Sequence, residues 1–156
     1  MTIAATVERY LADSGVAYDL LEHPRTASSS RTAQAGHVPG DRLAKAVVLK
    51  CEGGYAMAVV PASRHIRLGD VRDYLNRPVG LATEDEVGRL FGDCDLGAIP
   101  PLGRAYGLDV IVDDSLEAQP EIYFESGDHM NLIHVNATAF KRLMADARRG
   151  SFSKHD

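Results

Sequence analysis

The sequence has no tryptophan and only two cysteines, Cys51 and Cys94. Two thiols so far apart build neither a disulfide framework nor a zinc spacing. No pair of histidines or cysteines stands at metal-ligand spacing, so no metal is expected, and no other cofactor is called for. There is no GxSxG elbow and no Walker loop, which removes the commonest serine-hydrolase and nucleotide-phosphate signatures. No apolar run approaches the length of a membrane span. The opening stretch MTIAATVERYLADSG carries Glu8 and Arg9 inside an amphipathic pattern and does not read as a signal peptide, so a cytoplasmic location is expected. Internal repeats, low-complexity segments and linkers are missing as well.

Basic residues are in the minority. Lys and Arg number 17 against 22 Asp and Glu, for a net charge of −5. That balance argues against a general nucleic-acid coat protein but leaves room for a local basic patch. Arg64, His65, Arg67 and Arg72 form one cluster, and Lys141, Arg142, Arg148 and Arg149 another. Each reads first as a solvated helix face.

What is present describes an ordinary globular chain. Of its 156 residues, 45% are hydrophobic and 25% charged. One domain over residues 1–150 is expected, with residues 151–156 a frayed tail. Ile3, Val7, Tyr10 and Leu11 recur at helical spacing, and Gly15 stops that helix. Strands are expected at Val16–Leu21, Leu43–Leu49, Tyr55–Val60, Leu108–Val112, Ile122–Phe124 and Asn131–Val135. Thr83 and Glu86 stand at the reciprocal positions of a capping box. Asn136 or Thr138 caps a last helix carrying Phe140, Leu143 and Met144. Hairpin signals at Gly53-Gly54 and near Gly127 make the fold class α+β. The expected sheet is mixed, mostly antiparallel and flanked by short helices.

The stretch Gly92–Gly103, GDCDLGAIPPLG, is the densest in conformational signals. Pro100 and Pro101 exclude a helix interior or a central strand. Gly97 and Gly103 permit positive φ or close approach of a ligand to the backbone. Lys45 opens a buried strand, where its ammonium could hold a phosphate or oxyanion or simply snorkel to the surface. His129, after the Gly127-Asp128 turn, could meet a substrate or bond to backbone. His23 could line a pocket mouth or finish a strand, and Thr26–Ser30 offers hydroxyls. Cys94 could be a reactive thiol, and Cys51 reads as inert.

Taken in order, these pieces resemble the YbaK/prolyl-tRNA synthetase editing-domain family of aminoacyl-tRNA deacylases. The resemblance runs from about Val16 to about Met144. It rests on His23-Pro24, the AKAVVLK strand with Lys45, the return strand ending Val59-Val60-Pro61, the GxxxP-like loop from Gly97 to Gly103, and Gly127-Asp128-His129 with the strand after it. It implies a partly closed mixed sheet and hydrolysis of the ester joining a wrong amino acid to the tRNA 3′ end. It also implies that catalysis relies on backbone positioning and the substrate's own ribose hydroxyl. Lys45 would then hold the terminal adenosine or its phosphate, and the Gly97 loop would place the water and the ester carbonyl. Ala98, Ile99, Pro100, Gly127, Asp128 and His129 would bound the substrate site, with His23 and Thr26 at its edge. The expected partner is the 3′ end of mischarged tRNA, with a synthetase as a docking platform and no membrane. Two other readings stand beside this one: a non-catalytic tRNA- or synthetase-binding module on the same fold, and a small-molecule hydrolase using Cys94.

Overall fold

The computed structural model describes residues 3–23 and 38–155. Thr26 and the rest of the hydroxyl-rich run lie outside the described residues. Helix α1 (Ala5–Ser14) buries Val7 and Leu11 and ends at Gly15. Its N-cap, Ala4, has no polar side chain to offer. A distant residue supplies the cap instead: the Asp93 carboxylate accepts the Thr6 N–H at 2.9 Å. Strand β1 (Asp19–Glu22) follows, then β2 (Leu43–Cys51), β3 (Gly54–Pro61) and β4 (Arg64–Ile66). Helix α2 (Leu68–Leu75), β5 (Val79–Leu81) and helix α3 (Glu84–Leu90) come next. The second half runs β6 (Asp109–Asp113), α4 (Asp114–Glu117), β7 (Glu121–Glu125), β8 (Asn131–Asn136), α5 (Ala137–Leu143), β9 (Arg148–Gly150) and β10 (Ser153–His155). Among the described residues no helix is long and apolar enough to cross a membrane.

The main sheet has the order β1-β8-β7-β2-β3-β6-β9, with β5 also paired to β2. The β1–β8, β7–β8, β2–β3 and β2–β5 pairs are antiparallel, as the hairpin signals suggested. The β2–β7, β3–β6 and β6–β9 pairs are parallel. Parallel pairing needs long crossovers, and both faces of such strands must be covered. Alternation along the strands meets that need. Ala44, Val48, Met57, Val59, Phe124 and Ile133 pack in one cluster with Val7 and Leu11 of α1 and Phe140 and Leu143 of α5. Leu49, Ala58, Val60 and Ile111 pack in a second with Val71 of α2 and Phe152.

The expected helix signals are in place. Thr83 and Glu86 form the reciprocal capping box of α3, and Asn136 caps α5 through the Ala139 N–H at 2.8 Å. The frayed tail is corrected. Residues 153–155 form β10, paired to β4 with Ser153 opposite Ile66. Phe152 is fully buried, and its N–H donates to Asp113 at 3.0 Å. A single aromatic among polar residues gave too little pattern for a strand, and the pairing partner lies far back in the chain. Phe152→Ala is expected to lower unfolding free energy by about 3–5 kcal/mol, read by urea denaturation. A truly frayed tail would leave it unchanged.

Glu86 ties three elements together. It accepts the Thr83 N–H at 3.0 Å, the Tyr55 hydroxyl, and the Lys50 ammonium at 3.0 Å. The Thr83 N–H first, then Tyr55 and Lys50, pull its carboxyl down to about 2. A depressed carboxyl stabilises the fold above its unfolded pKa, and that contribution is lost as pH falls toward the folded one. Stability is therefore expected to drop between about pH 4.5 and pH 2, and Glu86→Gln should flatten that limb in acid-titrated thermal melts.

Candidate active site at the open edge of β2

One edge of β2 is shared by two neighbours. β7 pairs with it at Leu43 and Ala44 and then diverges, whereas β5 pairs with it only from Leu49 to Cys51. Between them, among the described residues, the edge from Lys45 to Val48 has no strand alongside, closed at its far end by the Ala82 N–H on the Val48 carbonyl at 3.0 Å. Peptide groups alternate in direction along a strand, so the N–H and C=O of Ala46 face the same opening as the Val48 carbonyl. A cleft of about 320 Å³ forms there. Ala46, Val47 and Val48 make its floor; Leu81, Ala82 and Val87 make one wall; Gly97 and Ile99 make another. Glu125, buried at the end of β7, is the one ionisable side chain among these lining residues.

The Gly97 wall is a tight turn. The Ala98 N–H donates to the Asp95 carbonyl at 3.1 Å, and Gly97 has φ 83. Leu96 keeps negative φ, which makes this a type II turn with glycine at the position that needs it. The Gly127-Asp128-His129 turn clasps it from behind. The Asp95 N–H donates to the Gly127 carbonyl at 2.7 Å, and His129 Nε2 bonds the Leu96 carbonyl. A carbonyl only accepts, so Nε2 carries the hydrogen of this bond. Nδ1 is buried with no hydrogen-bond partner among the described residues. The Leu96–Gly97 peptide is trans, so the Gly97 N–H is directed away from the carbonyl that His129 holds.

Two features let the clasp close. Gly127 has φ 103, and a Cβ there would come 2.9 Å from the Ala4 Cβ and 3.2 Å from the Cys94 sulfur. His129 sits at φ 61, a region costly for a side chain other than glycine. Asp128 enforces it by gathering the turn. Its Oδ1 accepts the Met130 and Asn131 N–H groups and the Ser126 hydroxyl, each at 2.9 Å, and its Oδ2 accepts the Asn131 amide at 2.7 Å. Burial pushes the Asp128 carboxyl up, but these donors outweigh it and hold it below the ordinary value.

The expected site residues therefore separate by place. Gly97 and Ile99 line the cleft. Lys45 is half-buried on the same strand, one residue before Ala46. Since Ala44 pairs with Phe124, Lys45 and Glu125 occupy the next positions on the two diverging strands. Ala98 and Pro100 are buried behind the turn. Gly127, Asp128 and His129 hold the turn and are not among the lining residues. His23 is buried next to that clasp, its N–H on the Met130 carbonyl at 2.8 Å. Glu125 was missed, although a carboxylate following the apolar Ile122–Phe124 was a visible signal. The Cys94 reading loses its chemistry. Burial, first, and the neighbouring Asp93 push its thiol up to about 12, with the Tyr106 hydroxyl 3.1 Å away only partly offsetting them. Such a thiol is not a nucleophile near neutral pH.

A family model for the aminoacyl-tRNA editing domain matches residues 23–143. The chain belongs to that family. A proline–tRNA ligase of Fervidobacterium nodosum is 30% identical over 91 residues, which is 58% of this chain and 16% of the ligase. The chain thus matches only a small part of that curated relative. The fold is also shared with solved structures. A structure described as a proposed trans-editing enzyme for prolyl tRNA synthetase superposes with a TM-score of 0.83 at 23% identity, covering 98% of this chain and 99% of that one. A structure from work on computational epitope grafting onto scaffold proteins gives 0.85 at 24% identity, with 97% of each chain covered.

His129→Ala removes the donor from the Leu96 carbonyl. The expected loss is about 0.5–1.5 kcal/mol of unfolding free energy, with a shifted Gly97 amide resonance in the folded variant. An unmoved Gly97 resonance would show that the clasp does not set the turn.

Proposed function

We propose that this protein hydrolyses the ester that joins a wrong amino acid to the 3′ end of tRNA, acting on the charged tRNA in trans. Its membership of the editing-domain family supports this, as does the likeness to a chain described as a trans-editing enzyme. The observation that carries the reading is the make-up of the cleft. Among the described residues it offers turned-out backbone, apolar walls and one carboxylate, with no activated nucleophile in its lining. Such a site works by holding a reactive ester and a water in line rather than by covalent attack.

In this mechanism the Gly97 N–H donates to the ester carbonyl oxygen as negative charge develops there. Water, aligned by the neighbouring ribose hydroxyl of the substrate, adds to the carbonyl carbon. The bond to the 3′ ribose oxygen then breaks and that oxygen takes a proton, releasing amino acid and tRNA. Lys45 holds the terminal adenosine or its phosphate. Glu125 faces the α-ammonium of the aminoacyl group. Ala46 and Ala82 keep the side-chain space narrow, which suits a small uncharged amino acid. His129 acts through the Gly97 turn and does not touch the ester. A synthetase that delivers the charged tRNA is a fitting partner.

A panel of mischarged tRNAs tests the reaction directly, and release of amino acid from none of them would leave a binding module instead. Lys45→Ala is expected to abolish most deacylation while the melting temperature stays near that of the parent. Gly97→Val should lower turnover on the order of 10²-fold, because it forbids the positive φ and misdirects the N–H. Cys94→Ala should leave turnover close to the parent. The reverse order of those two effects would return the chemistry to the thiol.

A further inference from the structure

Charge is strongly segregated in this acidic chain. Residues 64–77 hold four arginines against two aspartates, and residues 148–155 hold two arginines and a lysine against no acid. Everywhere else ten basic residues face twenty acidic ones. The fold brings these two distant segments together. β10 pairs with β4, placing Lys154 opposite His65 and His155 opposite Arg64. The Arg67 N–H donates to the Phe152 carbonyl at 2.7 Å, and the Tyr74 hydroxyl donates to the Arg149 carbonyl at 2.5 Å. Arg148 lies 4.9 Å over the Tyr74 ring.

The cations of this face are held in place. Arg64 donates to the Ser153 hydroxyl and carbonyl, at 2.8 and 2.9 Å. Arg72 Nε donates to the Val79 carbonyl at 2.9 Å. Arg67 pairs with Asp70 at 2.7 Å, and Arg149 with Glu117 at 2.5 Å. Each guanidinium has five N–H groups, so these contacts leave others for a partner while removing part of the ordering cost. Arg72, Arg77, Arg148 and Lys154 are exposed. The face also reaches the cleft. Val79, which holds Arg72, opens β5, and Leu81 at the end of β5 lines the cleft wall.

We propose that the surface of α2, β4, β9 and β10 binds the phosphate backbone of the tRNA body, outside the cleft that takes the 3′ end. This rests on the reading above that the substrate is a charged tRNA. An overall charge of −5 repels RNA, so productive docking needs a local field of opposite sign. Seven cations gathered from two segments supply it, beside the cleft where the ester would enter.

The test measures binding of uncharged tRNA by fluorescence anisotropy, which does not depend on hydrolysis. The same tRNA lacking its 3′-terminal CCA is the second ligand. The parent protein should bind both within a few-fold, with affinity falling steeply as salt rises. Arg77→Glu combined with Lys154→Glu should weaken both by about tenfold or more and make the log–log salt slope shallower by about two. Arg9→Glu combined with Lys141→Glu makes the same charge change at exposed sites elsewhere and should stay within about twofold. If the first pair fails to fold, Arg77→Gln with Lys154→Gln should still weaken binding about threefold. Unchanged affinity in either folded variant of the face overturns the proposal. So does equal loss in the control pair, or complete loss on removing CCA. Loss of binding to an acidic synthetase with tRNA affinity intact would assign the face to a protein instead. A protein that binds tRNA through this face yet hydrolyses no ester would leave the proposal standing and remove only the deacylase reading.

Discussion

A strand edge can be paired by only one neighbour at a time, and β2 has two on the same side. β7 approaches it parallel at one end and β5 antiparallel at the other. Two strands of opposite sense cannot join end to end without a gap. Among the described residues that gap is the cleft, floored by Ala46, Val47 and Val48 where the ladder is interrupted. A side chain on that edge would be replaceable; a missing stretch of ladder is a property of the sheet order. The small residues Ala46 and Ala82 keep the gap from being refilled by packing.

Between the strands, turns and helix starts are tied by ionised aspartates. Asp93 caps α1 and takes the Tyr106 hydroxyl at 2.7 Å. Asp113 takes the Phe152 N–H and the Ser115 N–H, and Asp128 gathers its own turn. In each case burial pushes the carboxyl up, and the donors around it more than compensate, leaving it below the ordinary value. A carboxylate accepting several N–H and O–H groups is stronger than a neutral acceptor would be, and it satisfies backbone that the sheet does not reach. The apolar clusters fix where the strands lie, while these carboxylates fix the turns between them, the Asp128 turn behind Gly97 included.

Most of the fold was legible wherever the signal was local. The Thr83–Glu86 box, the Gly15 stop, Asn136 as one of two cap candidates, and the strands around Leu43–Leu49 and Tyr55–Val60 all depend on residues close in sequence and stand where the pattern put them, whereas the strand expected at Val16–Leu21 is Asp19–Glu22. The parallel pairs were not legible, because nothing near Ala44 announces Phe124 as its partner. The site was half legible. Gly97 and Ile99 were marked by turn chemistry, and Lys45 by a charge at the head of an apolar strand. Glu125 becomes meaningful only once β7 is known to lie beside β2. His129 was visible as a histidine after a glycine turn, but the direction of its ring depends on where Leu96 falls, thirty-three positions earlier. Charge segregation was visible as two basic clusters. That Arg148 and Arg149 of the second meet the first at Tyr74, joined there by Lys154 through the β4–β10 pairing, while Lys141 lies elsewhere, is a fact of the fold.

That pairing also orders the life of the chain during synthesis. Ser153 meets Ile66 across a closure far longer than any hairpin, and such contacts form late because the intervening chain must first be confined. Phe152 fills the second core cluster, beneath α2. Until residue 155 has left the ribosome, α2 and β4 have an unfinished core under them and an unpaired edge beside them. An emerging chain in that state presents apolar surface and open backbone to its neighbours, so the window between translation of β9 and release of β10 is when a chaperone has most to cover.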